Sequence, residues 1–428
     1  MTGFGEFVRD AGELVVQPRM GMSEPDRMRA GLLATKAAAG TTVGTITLDS
    51  YTRVGDLDSA ELALMEDVPL NGYPIVSHEL ATTRQVLDGI QSEDFPIQVR
   101  HGSAAPQDIF VALMTAGLDA TEGGPVSYCL PYGRIPIAES LRNWSRSCEL
   151  FARLRDIGRK PHLETFGGCM LGQLCPPSQL VAISVLEALF FYQYGLRSIS
   201  VSYAQQTNLR QDIEAVYALR RLCDELLPDT DWHVVIYAYM GVYPTSPEGA
   251  YQLLGQAATL AATTGSERLI VKTVAESVRI PTIAENVSAL EYAAATAARV
   301  RRDRKADLTG AVNSQTYAEA EALVSAVLNL GTDIGQGLAL AFQHGYLDIP
   351  YCLHPDNNGR TRTYLDAAGR LCWADTGKLP LTGLVAARGA RTVTSSELLE
   401  SLSYVRRKFD SQAITPSPAH AELEARGA

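Results

Sequence analysis

Eight short β-rich runs alternate with longer helical stretches from residue 14 to about residue 275. They are Leu14–Arg19, Thr42–Asp49, Pro96–His101, Gly117–Glu122, Pro161–Phe166, Ser198–Tyr203, His233–Met240 and Arg268–Thr273. Most are nearly continuous apolar stretches, such as HVVIYAYM and RLIVKT, which suits parallel strands covered on both faces. Between them lie segments such as Asp212–Leu227, whose apolar residues recur near the helical period. Eight such units predict an α/β protein built as a closed (β/α)8 TIM barrel. An open doubly wound sheet is the competing arrangement. The barrel is expected over residues 14–330, closing with Ala-rich helices over 283–330 and a charged turn from Arg299 to Lys305. From Gly335 the texture changes to a polar loop, HPDNNGRTR, and short strands, so a C-terminal α+β extension is expected over 331–409. Residues 410–428 are rich in Pro, Ala and Glu and are expected to be disordered.

Charge and cysteine usage narrow the partners. Lys and Arg number 37 against 48 Asp and Glu, a net charge of -11. An acidic surface argues against nucleic acid or an anionic membrane as the main partner, without forbidding a local basic pocket. The apolar stretch Val181 to Tyr192 is interrupted by Ser184 and Glu187 and falls short of the ~18 apolar residues a bilayer span needs. The segment Met1 to Glu13 carries Glu6, Asp10 and Glu13 and does not read as a signal peptide. Seven cysteines, at 129, 148, 169, 175, 223, 352 and 372, are odd in number and form no CxxC pair. Structural zinc and a disulfide framework are thereby poorly supported, and a reducing cytoplasm fits.

Polar residues collect at the C-terminal ends of the expected strands, the face on which barrel enzymes build their sites. Arg19 ends the first, Arg53 follows the second, Arg100 and His101 end the third and Glu122 the fourth. Glu164, Tyr203, Met240 and Lys272 stand at or near the ends of the remaining four. Three guanidiniums facing one cavity need anions to offset their repulsion, because arginine does not shed its proton. With Glu122 as the one counter-charge, a ligand of about two negative charges is implied. A phosphate ester would call for a Gly-rich loop after strand seven or eight, and none follows Met240 or Lys272. A dicarboxylate fits better, with Glu122 left to hold an ammonium, which describes an amino dicarboxylic acid such as glutamate. On this reading, removing one guanidinium, as in Arg100→Met, relieves repulsion and leaves the fold intact. His101 is open to an acid/base or a hydrogen-bonding role, and a buried Lys272 to Schiff-base chemistry. There is no GxSxG elbow and no HExxH.

At these same residues the sequence resembles the large (epsilon) subunits of glutamate mutase, also called methylaspartate mutase. The resembling segments include QPRMG (17–21), LDSYTR (48–53), LNGYP (70–74), QVRHG (98–102), TEGGPVSYCLPY (121–132), ETFGG (164–168), NLRQD (208–212), YMGVYP (239–244), IVKTVAESVRIPT (270–282) and ALAFQHGYLDIPY (339–351). They keep family order from about residue 14 to 385. The resemblance implies a (β/α)8 barrel and an adenosylcobalamin-dependent radical rearrangement of L-glutamate to threo-3-methylaspartate, with migration of a glycyl fragment. It also implies residue roles. Arg19, Arg53 and Arg100 match a three-arginine substrate claw, and His101, Glu122, Tyr128 and Tyr132 match the other substrate contacts. Gly21, Asn71, Pro131, Tyr243, Lys272, Glu276 and Ile280 match cofactor contacts, Lys272 and Glu276 being similar to a pair that holds the adenosyl ribose. No metal ligand is expected in this chain.

The departures from the family pattern are local. Pro125, Cys129 and Arg134 stand where Gly, Asn and Lys are usual, Tyr237-Ala238-Tyr239 replaces His-Gln-Trp, and Ser202-Tyr203-Ala204 replaces Gly-Tyr-Gly. Strand one lies close to the first residue given, so the family's N-terminal arm is expected to be missing. The cobalt-ligating DxHxxG pattern of cobalamin subunits has its nearest counterpart in Asp231-Trp232-His233, with Ile236 where Gly is required. A separate small subunit carrying DxHxxG is therefore the expected partner, in a heterotetramer around a homodimer of large subunits. Retuning to another amino or oxo dicarboxylate, and a cobalamin-free lyase or binding barrel, are the alternative functions.

Overall fold

The structure, a computed structural model, describes residues 2–131, 133–166, 174–227, 229–302, 313–385 and 393–414. Eight strands form one parallel sheet: β1 (Val15–Gln17), β2 (Gly44–Thr47), β3 (Ile97–Arg100), β4 (Ala120–Glu122), β5 (His162–Glu164), β6 (Ser198–Ala204), β7 (Asp231–Tyr237) and β8 (Arg268–Ile270). Their order is β1-β8-β7-β6-β5-β4-β3-β2. A parallel bridge between Val16 and Thr42 joins β1 to the approach of β2 and closes the ring. The expected (β/α)8 barrel is thus present and the open sheet is not. Most strands are shorter than the apolar runs that contain them. The residues beyond each strand turn outward as the loops that carry the site.

Both ends of the barrel are built differently from its wall. The helix Phe4–Asp10 closes the floor, where Phe4 and Val8 pack on Val15, Val43 and Ala120. The spacing of four between these two side chains puts both on one helical face. Above the floor the lumen is polar. Arg268, fully buried, donates to Gln17, Glu164 and, at 3.1 Å, Ser200. Gln17 in turn donates to Thr45 and Gln98, both at 2.8 Å. Dry polar groups are tolerable because they satisfy one another, and this ladder runs up from the floor to the mouth.

Helices cover the outside. Pro177–Gln193 is buried along almost its whole length because a second layer, Gln315–Leu328 and Ile334–His344, lies over it. The extension also contains an antiparallel hairpin, β9 (Arg362–Leu365) and β10 (Leu371–Asp375), and the helices Ser395–Leu402 and Tyr404–Ile414. The last helix packs on Pro247–Thr264, and Asp410 accepts from Ser246 N at 2.9 Å and Thr245 N at 3.1 Å. Residues 410–414, expected in a disordered tail, are therefore helical; 415–428 lie outside the described residues. Among the described residues the cysteines are free, and no helix is long and apolar enough to cross a membrane.

Candidate active site

The β3, β4 and β5 ends place their charges in contact. Arg100, Glu122 and Tyr128 are almost fully buried. Arg100 Nη2 lies 3.4 Å from Glu122, its Nη1 3.9 Å from Glu164, and its guanidinium stacks over Tyr237 at 5.0 Å. Glu122 and Glu164 are register partners on adjacent strands. Burial pushes the Glu122 carboxyl up, against the pull of Arg100. Burial also acts on Glu164, but Arg268 and Arg100 outweigh it and hold that carboxyl down. Two neighbouring carboxyls are thereby driven apart, with Glu122 the one that can carry a proton. Tyr128 Oη donates to Glu122, and Tyr237 Oη donates to Glu164 while standing 3.5 Å from Glu122.

His101 is held neutral. Burial, then Arg53 and Arg100, bring its pKa down to about 3. Ser103 N donates to Nδ1 at 3.1 Å, so the neutral ring carries its proton on Nε2. That nitrogen is buried and has no hydrogen-bond partner among the described residues. The geometry favours a hydrogen-bond donor over an acid/base group. The ring is fixed by stacking on Trp144, 5.7 Å away.

The two remaining arginines line an open cleft of ≈ 410 Å³ beside this cluster. Arg19, Gly21, Arg53, Asn71, Glu276 and Ile280 all border it. Arg53 Nε and Nη2 donate to the Leu48 carbonyl at 3.2 and 3.0 Å, and no carboxylate among the described residues forms an ion pair with it. Arg19 Nη1 pairs with Glu276 Oε2 at 3.0 Å and also approaches Met240 Sδ at 3.6 Å. The other Glu276 oxygen accepts from Thr273 N at 3.1 Å. Two residues expected in separate claw and cofactor sets thus hold one another here. Lys272, mostly buried, places its Nζ 4.6 Å over the Tyr243 ring, a cation–π contact. The Tyr243 hydroxyl is buried with no hydrogen-bond partner among the described residues.

Several sequence expectations change. Tyr203, at a strand end, sends its hydroxyl to Asp212 on the following helix at 2.7 Å and so does not join the mouth. Gly21 has a backbone reason of its own, since a Cβ there would overlap the Thr47 carbonyl. Asn71 Oδ1 already accepts from Ser50 N at 2.9 Å, and Pro131 is half-buried after the turn that carries Tyr128. Tyr132 and Cys169 lie outside the described residues. His233 is fully buried in β7 and stacks on His162 at 5.2 Å, near the barrel floor. The charge count also differs. Glu122 is not the only acid, for Glu164 and Glu276 join it, and Arg268 adds a fourth guanidinium. Four guanidiniums and the Lys272 side chain face three carboxyls, so formal positive charge is in excess at the mouth.

Comparison with known proteins places this architecture. The chain is 29% identical over 385 residues to the glutamate mutase epsilon subunit of Escherichia coli O157:H7, covering 86% of this chain and 79% of that one. It is 30% identical over 358 residues to the protein of the same name from Halobacterium salinarum, covering 81% and 74%. Among solved structures, a spore coat polysaccharide biosynthesis protein of Bacillus subtilis aligns with a TM-score of 0.39 at 11% identity, over 71% of this chain and 74% of that one, a level that carries no argument here. The methylaspartate mutase E chain family matches residues 4–400, and with a match of that extent this protein belongs to that family.

Proposed function

We propose that the chain is the large catalytic subunit of an adenosylcobalamin-dependent mutase interconverting L-glutamate and threo-3-methylaspartate. The observation that carries this reading is the charge of the mouth. L-glutamate has two carboxylates and one ammonium, a net negative charge, and the mouth holds an excess of formal positive charge. Arg53 and Arg100, with Arg19 at the cleft edge, would hold the two carboxylates in forked hydrogen bonds. His101 Nε2 would donate to a carboxylate oxygen, and ionised Glu122 with Tyr128 would take the ammonium. Tyr132 keeps its proposed place beside them on sequence grounds alone.

The residues around the cleft fit a large cofactor at the barrel mouth. Ile280 and Val278 are exposed at 62% and 78%, apolar side chains that a corrin face would cover. Tyr243, whose hydroxyl has no hydrogen-bond partner among the described residues, lies with its ring under the Lys272 Nζ. Gly21, Asn71, Pro131, Tyr243, Lys272, Glu276 and Ile280 would form the holding set, Glu276 after release from Arg19. When bound, adenosylcobalamin supplies radical chemistry able to take hydrogen from an unactivated carbon. The chain's own part is to fix the substrate skeleton and to exclude water, for which a nearly dry Arg100–Glu122–Tyr128 cluster is suited. The cobalt ligand would come from a small DxHxxG subunit, in a cytoplasmic heterotetramer around a dimer of large subunits. The test is purified chain, small subunit and adenosylcobalamin incubated with L-glutamate, 3-methylaspartate being the expected product. Turnover of an oxo dicarboxylate with none of L-glutamate would overturn the substrate assignment.

A further inference from the structure

The mostly apolar helix Pro177–Gln193 carries a single charged residue, Glu187, which is fully buried. Packing alone does not account for a carboxyl there, since a leucine would fill the place without desolvating a charge. Its oxygens accept from the Phe166 amide after β5 and, more extensively, from the turn after β4. Oε1 accepts from Val126 N at 3.0 Å, from Ser127 N at 2.9 Å and from Ser127 Oγ at 2.9 Å, and Oε2 lies 2.9 Å from the same hydroxyl. Gly124 sits so close that a Cβ would overlap the carboxyl. Burial pushes the group up to about 7 against the pull of these donors.

What the carboxyl grips is the turn after β4. Tyr128 N bonds to Gly124 O at 3.2 Å and Leu130 N to Val126 O at 3.0 Å, a single helical turn. The first amides of such a turn have no partner within it, and Glu187 supplies one. The next residue is Tyr128, whose hydroxyl donates to Glu122. We infer that Glu187 is a positioning residue that anchors the 125–130 turn through Ser127 and so sets the Tyr128 phenol against Glu122. The inference rests on the proposed role of Glu122 and Tyr128 at the substrate ammonium.

The test uses the full chain with its small subunit and adenosylcobalamin, and three variants. Glu187→Leu removes every acceptor. Glu187→Gln keeps an oxygen for the two amides and gives Ser127 an amide donor. Ser127→Ala removes only the hydroxyl. Glu187→Leu should raise KM for L-glutamate by about tenfold or more and lower kcat less, as expected when ground-state and transition-state binding are lost together. Glu187→Gln should return KM to within about threefold of wild type, and Ser127→Ala should fall between. Amide hydrogen exchange should quicken over residues 123–131 in the Leu and Ala variants while β2 and β6 stay protected. If Glu187→Leu does not fold, the Ser127→Ala and Glu187→Gln pair decides. Unchanged KM and exchange in Ser127→Ala, equal damage from Gln and Leu, or exchange quickened throughout the barrel would overturn the inference. If wild type leaves L-glutamate untouched, the functional reading fails and the exchange measurement alone decides the anchor.

Discussion

Arg100 is the residue at which the structure most alters expectation. Three clustered guanidiniums would repel, and removing one would relieve the fold. Instead Arg100 stands between Glu122 and Glu164, 3.4 and 3.9 Å away, on adjacent strands in a dry lumen. Arg100→Met therefore leaves two carboxyls facing each other. Breaking one side of a buried pair costs roughly 3–5 kcal/mol, and the loss should be smaller at pH 5.5 than at pH 8, because Glu122 can then take up a proton. Adding Glu122→Gln should restore much of the stability in chemical denaturation. Turnover should not return. A clamp of this kind is worth roughly 2–5 kcal/mol, so kcat/KM should drop about 30- to 4,000-fold in either variant. Equal stability of wild type and Arg100→Met at pH 8 would show that Arg100 does not hold the two carboxyls apart.

The wall elements were legible in the sequence because strands buried on both faces read as unbroken apolar runs. For the same reason their inner and outer faces were not. In RLIVKT nothing marks Arg268 as lumen-facing, and its partners Gln17 and Glu164 lie 251 and 104 residues away. Tyr203 went the other way: it ends β6 but points outward, where its hydroxyl and Gln206 N both reach Asp212 Oδ1. That contact joins β6 to the helix Leu209–Leu226 and permits a test of the element junction. Burial, opposed by these donors, raises the Asp212 carboxyl to about 7. A group raised on folding stabilises fully below its unfolded pKa of about 4, and that contribution is lost as pH rises toward 7. Over pH 5.5 to 8 the loss should be about 2 kcal/mol. His101 and His162, both brought down to about 3, act oppositely as pH falls below about 6.5, but equally in wild type and variant. Asp212→Asn should flatten the fall in unfolding free energy between pH 5.5 and 8 by that amount. An unchanged slope would mean that Asp212 stays ionised across the range.

At the scale of the whole molecule the mouth is charged and shaped, and the cobalt-ligating motif is not found at it. The one partial DxHxxG match, around His233, is ruled out by position. The side chain is fully buried, stacked on His162 and near the floor, at the end of the barrel opposite the cleft. Burial, with His162 and Arg268 beside it, lowers its basicity well below that of a free imidazole. Apolar side chains are meanwhile left in solvent around the opening. Val278 and Ile280 after β8 border the cleft, exposed at 78% and 62%, and Val54 and Met65, the last residues of two short helices after β2, are exposed at 75% and 80%; a partner subunit would cover such side chains. The isolated chain should therefore show no turnover of L-glutamate and weak adenosylcobalamin binding. Adding the small subunit should bring activity together with a base-off, histidine-ligated cobalamin spectrum. Charged replacements at the rim, such as Val278→Asp, should weaken assembly without changing the thermal unfolding of the isolated chain, since exposed sites away from packed features shift stability by only about 0.5 kcal/mol. The fall in activity of such a variant should be recovered at higher small-subunit concentration. Robust turnover by the chain alone, or a histidine-ligated spectrum in the absence of the small subunit, would place the ligand in this chain and refute the two-subunit reading.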